Sequence, residues 1–300
     1  MKKKRLISII ASLLVLSILT GCANSGGSNE FENTEPTSSK SSQEHDTLTV
    51  VIPSDVGSLY QWDTDDSWAL NVICEIVDPL WRISPVDGSV SGCLAEEWEI
   101  SPDYKECKVK LQEGVKFSNG DPLTTKDVKW TLEEAINQPW CSRWVANFEG
   151  VEIVDEYNCI LKWSEGDPNF MKYFAQNSMN ILPADYIAEV GVDGYKQNPI
   201  GTGPFILESW TRGDRIVLKT NKDYFMGSAS YDTLVIRMIN DANSALMALE
   251  AGEVDVVCDL KPTFKDVVAQ NENLRWEEAA SAVFVYIQVQ NQKAPFDDVR

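Results

Sequence analysis

Histidine is almost missing from this chain of 300 residues: His45 is its one copy. That scarcity excludes catalytic Ser–His and Cys–His pairs, His general bases and His-rich zinc sites. Cations are also short. Lys and Arg number 26 against 46 Asp and Glu, a formal charge of −20. Nucleic acid needs a basic surface, so it is excluded as a partner, and so is electrostatic docking on anionic lipid. No second long apolar run follows the first one, and mean hydropathy is −0.23, which rules out a multispanning membrane protein. None of the seven cysteines forms a CxxC pair, which argues against a zinc cluster. No GxGxxG or Walker-type loop occurs; Gly201-Thr202-Gly203 is too short and runs straight into Pro204. No internal repeat is present.

What is present fits a packed globular protein: 43% hydrophobic residues and ten tryptophans, in a length suited to one large or two ordinary domains. The first 22 residues carry an address. Lys2-Lys3-Lys4-Arg5 precedes an uncharged run from Leu6 to Leu19, which ends at Leu19-Thr20-Gly21-Cys22. The run is about 14 residues, short of the ~20 needed to span a bilayer. Four cations ahead of it orient the segment for export. The segment resembles a bacterial lipoprotein signal. That resemblance implies cleavage before Cys22, with acyl chains on its thiol anchoring the mature chain to the cell membrane. Losing the four leader cations makes the net charge four units more negative. Residues 22–47, rich in Ser, Asn, Gly, Glu and Thr, read as a flexible tether. With Cys22 assigned, Cys74, Cys93, Cys107, Cys141, Cys159 and Cys258 allow fifteen pairings. Free buried thiols and one or two disulfides both stay open.

Beyond the tether the pattern is mixed. Leu48–Ile52 predicts a buried strand closed by Pro53, and Trp68 to Leu80 has helical character up to Pro79. Cys107–Leu111 alternates as a half-buried antiparallel strand. After a turn at Ser118–Pro122, Thr124 and Asp127 form a capping box for a helix burying Val128, Leu132, Ala135 and Ile136. Strand Thr233–Met238, helix Ala242–Ala251 and strand Val254–Val257 follow, with Gly252 as the helix stop. In the strand predicted at Val283–Val289, Val283, Val285, Ile287 and Val289 share one face, and Phe284, Tyr286 and Gln288 the other. Aromatics beside an amide suit a cleft wall, which must stack and hydrogen-bond at once; a second packed layer over them fits the pattern equally well. Trp140, Trp144 and Trp163 are expected to pack within a subdomain rather than form a carbohydrate platform.

Several stretches, in order, resemble the extracytoplasmic solute-binding proteins of the oligopeptide, dipeptide and nickel transporter family. They are Leu94-Ala95-Glu96-Glu97-Trp98-Glu99 with Ser101-Pro102-Asp103, Gly114 to Val128, Gly201-Thr202-Gly203-Pro204-Phe205, Ala251-Gly252-Glu253-Val254-Asp255, and Asn291 to Arg300. The resemblance implies an α/β fold of the periplasmic-binding-protein type with an extra subdomain, built of mixed sheets with flanking helices. It divides the chain into a leader (1–21), a tether (22–47), one lobe (48–77 and 199–290), an inserted subdomain (78–198) and the start of a crossover to a second lobe (291–300). The second lobe is expected to lie beyond Arg300, so this chain alone is expected to bind ligand weakly or not at all. Two departures stand near the implied cleft: Tyr60-Gln61 follow Ser58-Leu59 where the family often has Asp-Pro, and Cys93 replaces a common proline. The resemblance further implies capture of a peptide or similar small solute for an ABC permease, with no cofactor, no catalytic residue and no metal ligand, by a monomer. Tyr60 and Trp62 on the first loop, with Phe284 and Tyr286 on the last strand, are the candidate ligand contacts. Asp55 could meet a ligand cation, though a solvated loop carboxylate is the plainer reading. A peptide-sensing receptor on the same fold is the alternative. An exported hydrolase would need paired carboxylates such as Glu96-Glu97, Glu133-Glu134 or Asp297-Asp298, yet adjacent side chains on a strand or helix point apart.

Overall fold

The computed structural model describes residues 46–142, 144–279 and 292. Two compact units emerge, residues 1–260 and 261–300. Cys22, His45, Phe284, Tyr286 and Asp297-Asp298, together with the strand predicted at Val283–Val289, lie outside the described residues.

The first unit starts with β1 (Thr47–Ile52), buried from Val50 to Ile52 whichever way the side chains point. A strand covered on both faces needs such a run. Asp66 then caps α1 (Ser67–Ile73), accepting from the Ala69 N–H at 2.8 Å. The helical pattern was expected to run to Pro79, but the chain tightens after Ile73. The N–H groups of Glu75 and Ile76 bond back to Val72 and Ile73, three residues away, and their own carbonyls are taken by Phe205 and Gly203 at 2.9 and 2.8 Å.

A short hairpin of β2 (Trp81–Ile83) and β3 (Val90–Gly92) leads to β4 (Ala95–Ile100) and β5 (Glu106–Leu111). The capping box at Thr124 and Asp127 starts α2 (Thr125–Ala135) as the sequence predicts. Val128, Leu132 and Ala135 are buried, but Ile136 is 40% exposed because it stands at the helix cap, past the last turn. Then come β6 (Phe148–Ile153), β7 (Asn158–Trp163), α3 (Phe170–Phe174) and α4 (Ala184–Gln197), the last kinked at Gly191. These strands form an antiparallel sheet ordered β4-β5-β7-β6. Trp163 packs in an aromatic cluster with Phe148, Phe170 and Phe174, and Trp144 lies 5.5 Å from the Tyr173 ring; Trp140 stays 46% exposed.

The chain returns through β8 (Phe205–Thr211), β9 (Arg215–Thr220), β10 (Thr233–Met238), α5 (Ala242–Glu250) and β11 (Val256–Val257). They join β1 in a second sheet ordered β11-β1-β10-β9-β8, parallel across its first three strands and antiparallel beyond. Strand β11 is shorter than predicted: the Asp255 carboxylate takes the Thr49 N–H at 2.7 Å, so the ladder begins at Val256. Gly252 stops α5 with φ +71°.

The outgoing chain at 75–82 and the returning chain at 199–205 meet in a clasp. A Cβ on Gly201 would stand 2.1 Å from the Ile76 carbonyl oxygen, and one on Gly203 2.5 Å from the Ile76 carbonyl carbon. Only glycine permits that approach. Beside it the fully buried Asp78 accepts from Thr202 Oγ1 at 2.9 Å, Tyr224 OH at 3.1 Å and Arg82. Cys74, Cys93, Cys107, Cys159 and Cys258 are in no disulfide, and Cys141 donates to the Ser178 carbonyl at 3.7 Å. Burial pushes the Cys74, Cys107 and Cys159 thiols up to about 12. The second unit begins with a single 3₁₀ turn, Pro262–Phe264, and α6 (Lys265–Val268).

Candidate ligand-binding edge

Two neighbouring strands of the second sheet send the chain to opposite faces. After β1, helix α1 joins the large core with Val50 and Ile52. After β10, helix α5 packs with Val51 on the other face, through Ala245 and Ala248. Where parallel neighbours diverge in this way, a crevice opens beyond their carboxyl ends, and open α/β sheets bind ligands there.

Residues 53–57 and 239–241 border this crevice. The Ile239 N–H bonds to Ile52 O at 3.1 Å, which keeps the two exits adjacent. Asp55, Gly57, Asn240 and Asp241 are exposed. Asp241 is committed to capping α5: its Oδ1 accepts from the Ser244 N–H at 2.8 Å and hydroxyl at 2.7 Å, and these bonds hold its carboxyl below the usual range. The hairpin between β8 and β9 reaches the same edge, because the Met238 N–H bonds to Asp214 O and Arg212 donates to the Gly57 carbonyl. This edge therefore offers main-chain groups, the Asn240 amide and the Asp55 carboxylate, neither side chain having a partner among the described residues. Such a set can hydrogen-bond a polar backbone and pair with an ammonium group.

Tyr60 and Trp62, expected on the cleft wall, sit inside the core at 5% and 4% exposure. Their rings meet edge to face at 5.4 Å. The physical reason is anchoring. The Trp62 indole N–H donates to Ser178 O at 2.9 Å, and the Tyr60 ring packs on Tyr195 and under Lys196. Lys196 in turn pairs with Asp63 at 2.8 Å. The two aromatics thus hold the first loop down from beneath, and Asp55 and Gly57 are what it presents. Burial raises the Tyr60 phenol well above its ordinary value, so it stays neutral.

Sequence reasoning missed Asn240 and Arg212. Asp241 ahead of a helical run was a readable cap signal that would have placed Asn240 at the edge; Arg212 gave none, since its partner Gly57 is remote in sequence. The adjacent carboxylates go to separate partners: Glu96 to Lys110, Glu133 to Lys129 and the Val151 N–H, Glu134 to Gln138. Among the described residues no three His, Cys, Asp or Glu side chains converge as a metal site.

A profile described as bacterial extracellular solute-binding proteins, family 5, middle, matches residues 89–300. The oligopeptide-binding protein AppA of Bacillus subtilis (strain 168) is 27% identical, over 99% of this chain and 55% of its own length. Di/tripeptide-binding protein 4 of Pseudomonas aeruginosa (strain UCBPP-PA14) is 30% identical, over 72% of this chain and 45% of its own. Among solved structures, the binding protein MoaA of A. tumefacien R10, in complex with mannopinic acid, superposes with a TM-score of 0.74 at 24% identity, covering 84% of this chain and 53% of that one. This last likeness concerns the fold. The chain spans about half the length of the curated relatives it matches.

Proposed function

Because the chain belongs to the bacterial extracellular solute-binding proteins of family 5, a family of binding proteins rather than enzymes, we propose that it is the substrate-binding component of an ABC importer for peptides. In this reading Cys22 carries the lipid anchor and residues 22–47 give the tether its reach. Segments 48–77 and 199–290 form one lobe and 78–198 its inserted subdomain. Permease subunits are the protein partners. Peptide is favoured over nickel because histidine is absent outside the tether and the curated relatives include oligopeptide- and di/tripeptide-binding proteins.

The divergence of the chain to opposite faces of the sheet after the neighbouring strands β1 and β10 is the observation that carries the reading. Asp55 pairs with a peptide ammonium, and Asn240 with exposed main chain at 53–57 takes the peptide backbone. Phe284 and Tyr286 stay candidate contacts on the sequence pattern alone, while Tyr60 and Trp62 support the first loop from below. In ligand-enclosing folds of this type two lobes close on the solute. A peptide held at this one edge, without a second wall closed over it, is expected to bind more weakly than micromolar. Backbone amide spectra of the chain titrated with tri- and tetrapeptides test this. Shifts concentrated at 53–57 and 239–241, weakened by Asp55→Asn, are expected. Shifts elsewhere only, or none at millimolar peptide, would overturn it.

A further inference from the structure

Arg212 reaches the edge beyond β1 and β10 on a rigid mount. It opens the three-residue loop between β8 and β9, whose last ladder pair is Thr211 and Arg215. Gly213 turns that loop with φ +70°, and the Asp214 N–H closes it on Thr211 O at 3.0 Å, a common way to end a tight hairpin. The Arg212 guanidinium lies 3.3 Å from the centre of the Trp210 ring, and Trp210 packs on the large core. A planar cation stacked on an anchored indole keeps its donor fork in place. From there Arg212 donates to the Gly57 carbonyl.

The first loop needs such a hold. The Ser54 hydroxyl donates to Asp66 at 3.2 Å and the Ser58 hydroxyl to Asp63 at 3.0 Å. Between them Val56 is fully buried and acts as a pivot. One buried side chain fixes where the backbone meets the core, not how the next peptide plane is turned. Gly57 leaves that turn free, because glycine rotates more easily than any other residue. The Arg212 bond removes this freedom. It draws the Gly57 carbonyl toward the hairpin, so the Ser58 N–H, opposed to it across the trans peptide, faces away from the hairpin. That N–H has no hydrogen bond among the described residues, so it is a donor held ready for an acceptor on a ligand.

We propose that Arg212 is a positioning residue of this edge: it orients the Gly57–Ser58 peptide group so that the Ser58 N–H donates to a carbonyl or carboxylate of the bound peptide. The inference rests on the peptide-binding reading above and adds a donor to it; Arg212 itself touches no ligand in this role. The test uses the whole chain, backbone amide spectra and trialanine as the probe. Arg212→Ala should lower the backbone order parameters of Gly57 and Ser58 and leave the urea midpoint in place, as exposed changes do. It should weaken trialanine binding about fivefold, the size of one net hydrogen bond, and shrink the ligand-induced shift of the Ser58 amide. Gly57→Ala added to Arg212→Ala should recover most of that affinity, because it restricts the same rotation. The position tolerates it: φ there lies outside the left-handed region and a Cβ meets nothing within 4 Å. Arg212→Lys keeps the charge but loses the planar stack, and should recover less. Unmoved order parameters or parent-like binding in Arg212→Ala would overturn the proposal and leave the peptide reading standing. So would full binding by Arg212→Lys with no recovery through Gly57→Ala, the pattern of a direct charge contact with the peptide. Trialanine that shifts nothing at residues 53–58 of the parent chain would overturn the peptide reading, and the Ser58 donor with it, while lowered order parameters in Arg212→Ala would still establish the clamp.

Discussion

Asp78 and Glu75 lie three residues apart at the clasp and set opposite demands. Asp78 is fully buried, yet hydroxyls from Thr202 and Tyr224 and the Arg82 guanidinium satisfy it. Removing one partner of a buried ion pair typically costs about 3–5 kcal/mol. Arg82 keeps some contact with water, so Asp78→Ala should cost about 3 kcal/mol, and Tyr224→Phe about 1 kcal/mol, both read from urea unfolding. The Glu75 carboxyl has no hydrogen-bonding partner among the described residues, and burial raises it to about 7, with Asp78 adding to the rise against the opposing pull of Arg82. The folded state thus holds this proton more tightly than the unfolded chain. Its contribution is full below the unfolded value of about 4.5 and is lost as pH climbs through about 7. Stability should therefore fall between pH 5 and 8, by an amount on the order of 2 kcal/mol. Glu75→Gln should flatten that dependence in melts recorded across the range; an unchanged slope would refute the assignment. Neither role was legible in sequence. Only the pairing of Asp78 with Arg82 is local, while Cys93, Thr202 and Tyr224 reach it from distant stretches.

Among the elements, those with local causes were read well. The capping box at Thr124, the turn at Gly120 and the strand β10 all depend on neighbours within a few residues. What failed was set from afar. After Ile73 the chain leaves α1 for a tight turn whose carbonyls, at Glu75 and Ile76, are taken by the returning chain, and the β11 ladder begins only after Asp255, whose side chain takes the Thr49 N–H. The clasp gives a direct steric prediction. Gly201→Ala would force a Cβ against the Ile76 carbonyl oxygen, so it should destabilise by about 3 kcal/mol or more, in the range of severe overpacking. Gly57→Ala, on the first loop, meets nothing within 4 Å and should lie within about 0.5 kcal/mol of the parent, as open surface changes do. Equal effects in denaturant melts would contradict the clasp.

For the whole molecule, the family-like runs pointed to the fold class, while the burial of the first-loop aromatics was not readable from their polar surroundings. Tyr60 and Trp62 are candidate ligand contacts in the sequence because a polar loop surrounds them. The Trp62 N–H instead finds its acceptor in Ser178, a contact that loop sequence cannot disclose. The anchor reading belongs to this scale as well. Labelled palmitate should enter the chain in a bacterial host and be lost in Cys22→Ser, with the protein released from membranes; labelling that persists would refute it.

Strand β1 is among the first folded segments to be made, yet its partner β10 comes far later, Thr47 pairing with Thr233. Until that pairing forms, the central sheet has no middle. Contacts so distant along the chain make folding slow. For a chain whose leader reads as an export signal, this delay is useful. On that reading of the leader, a sheet left unfinished until β10 arrives keeps the polypeptide threadable through export.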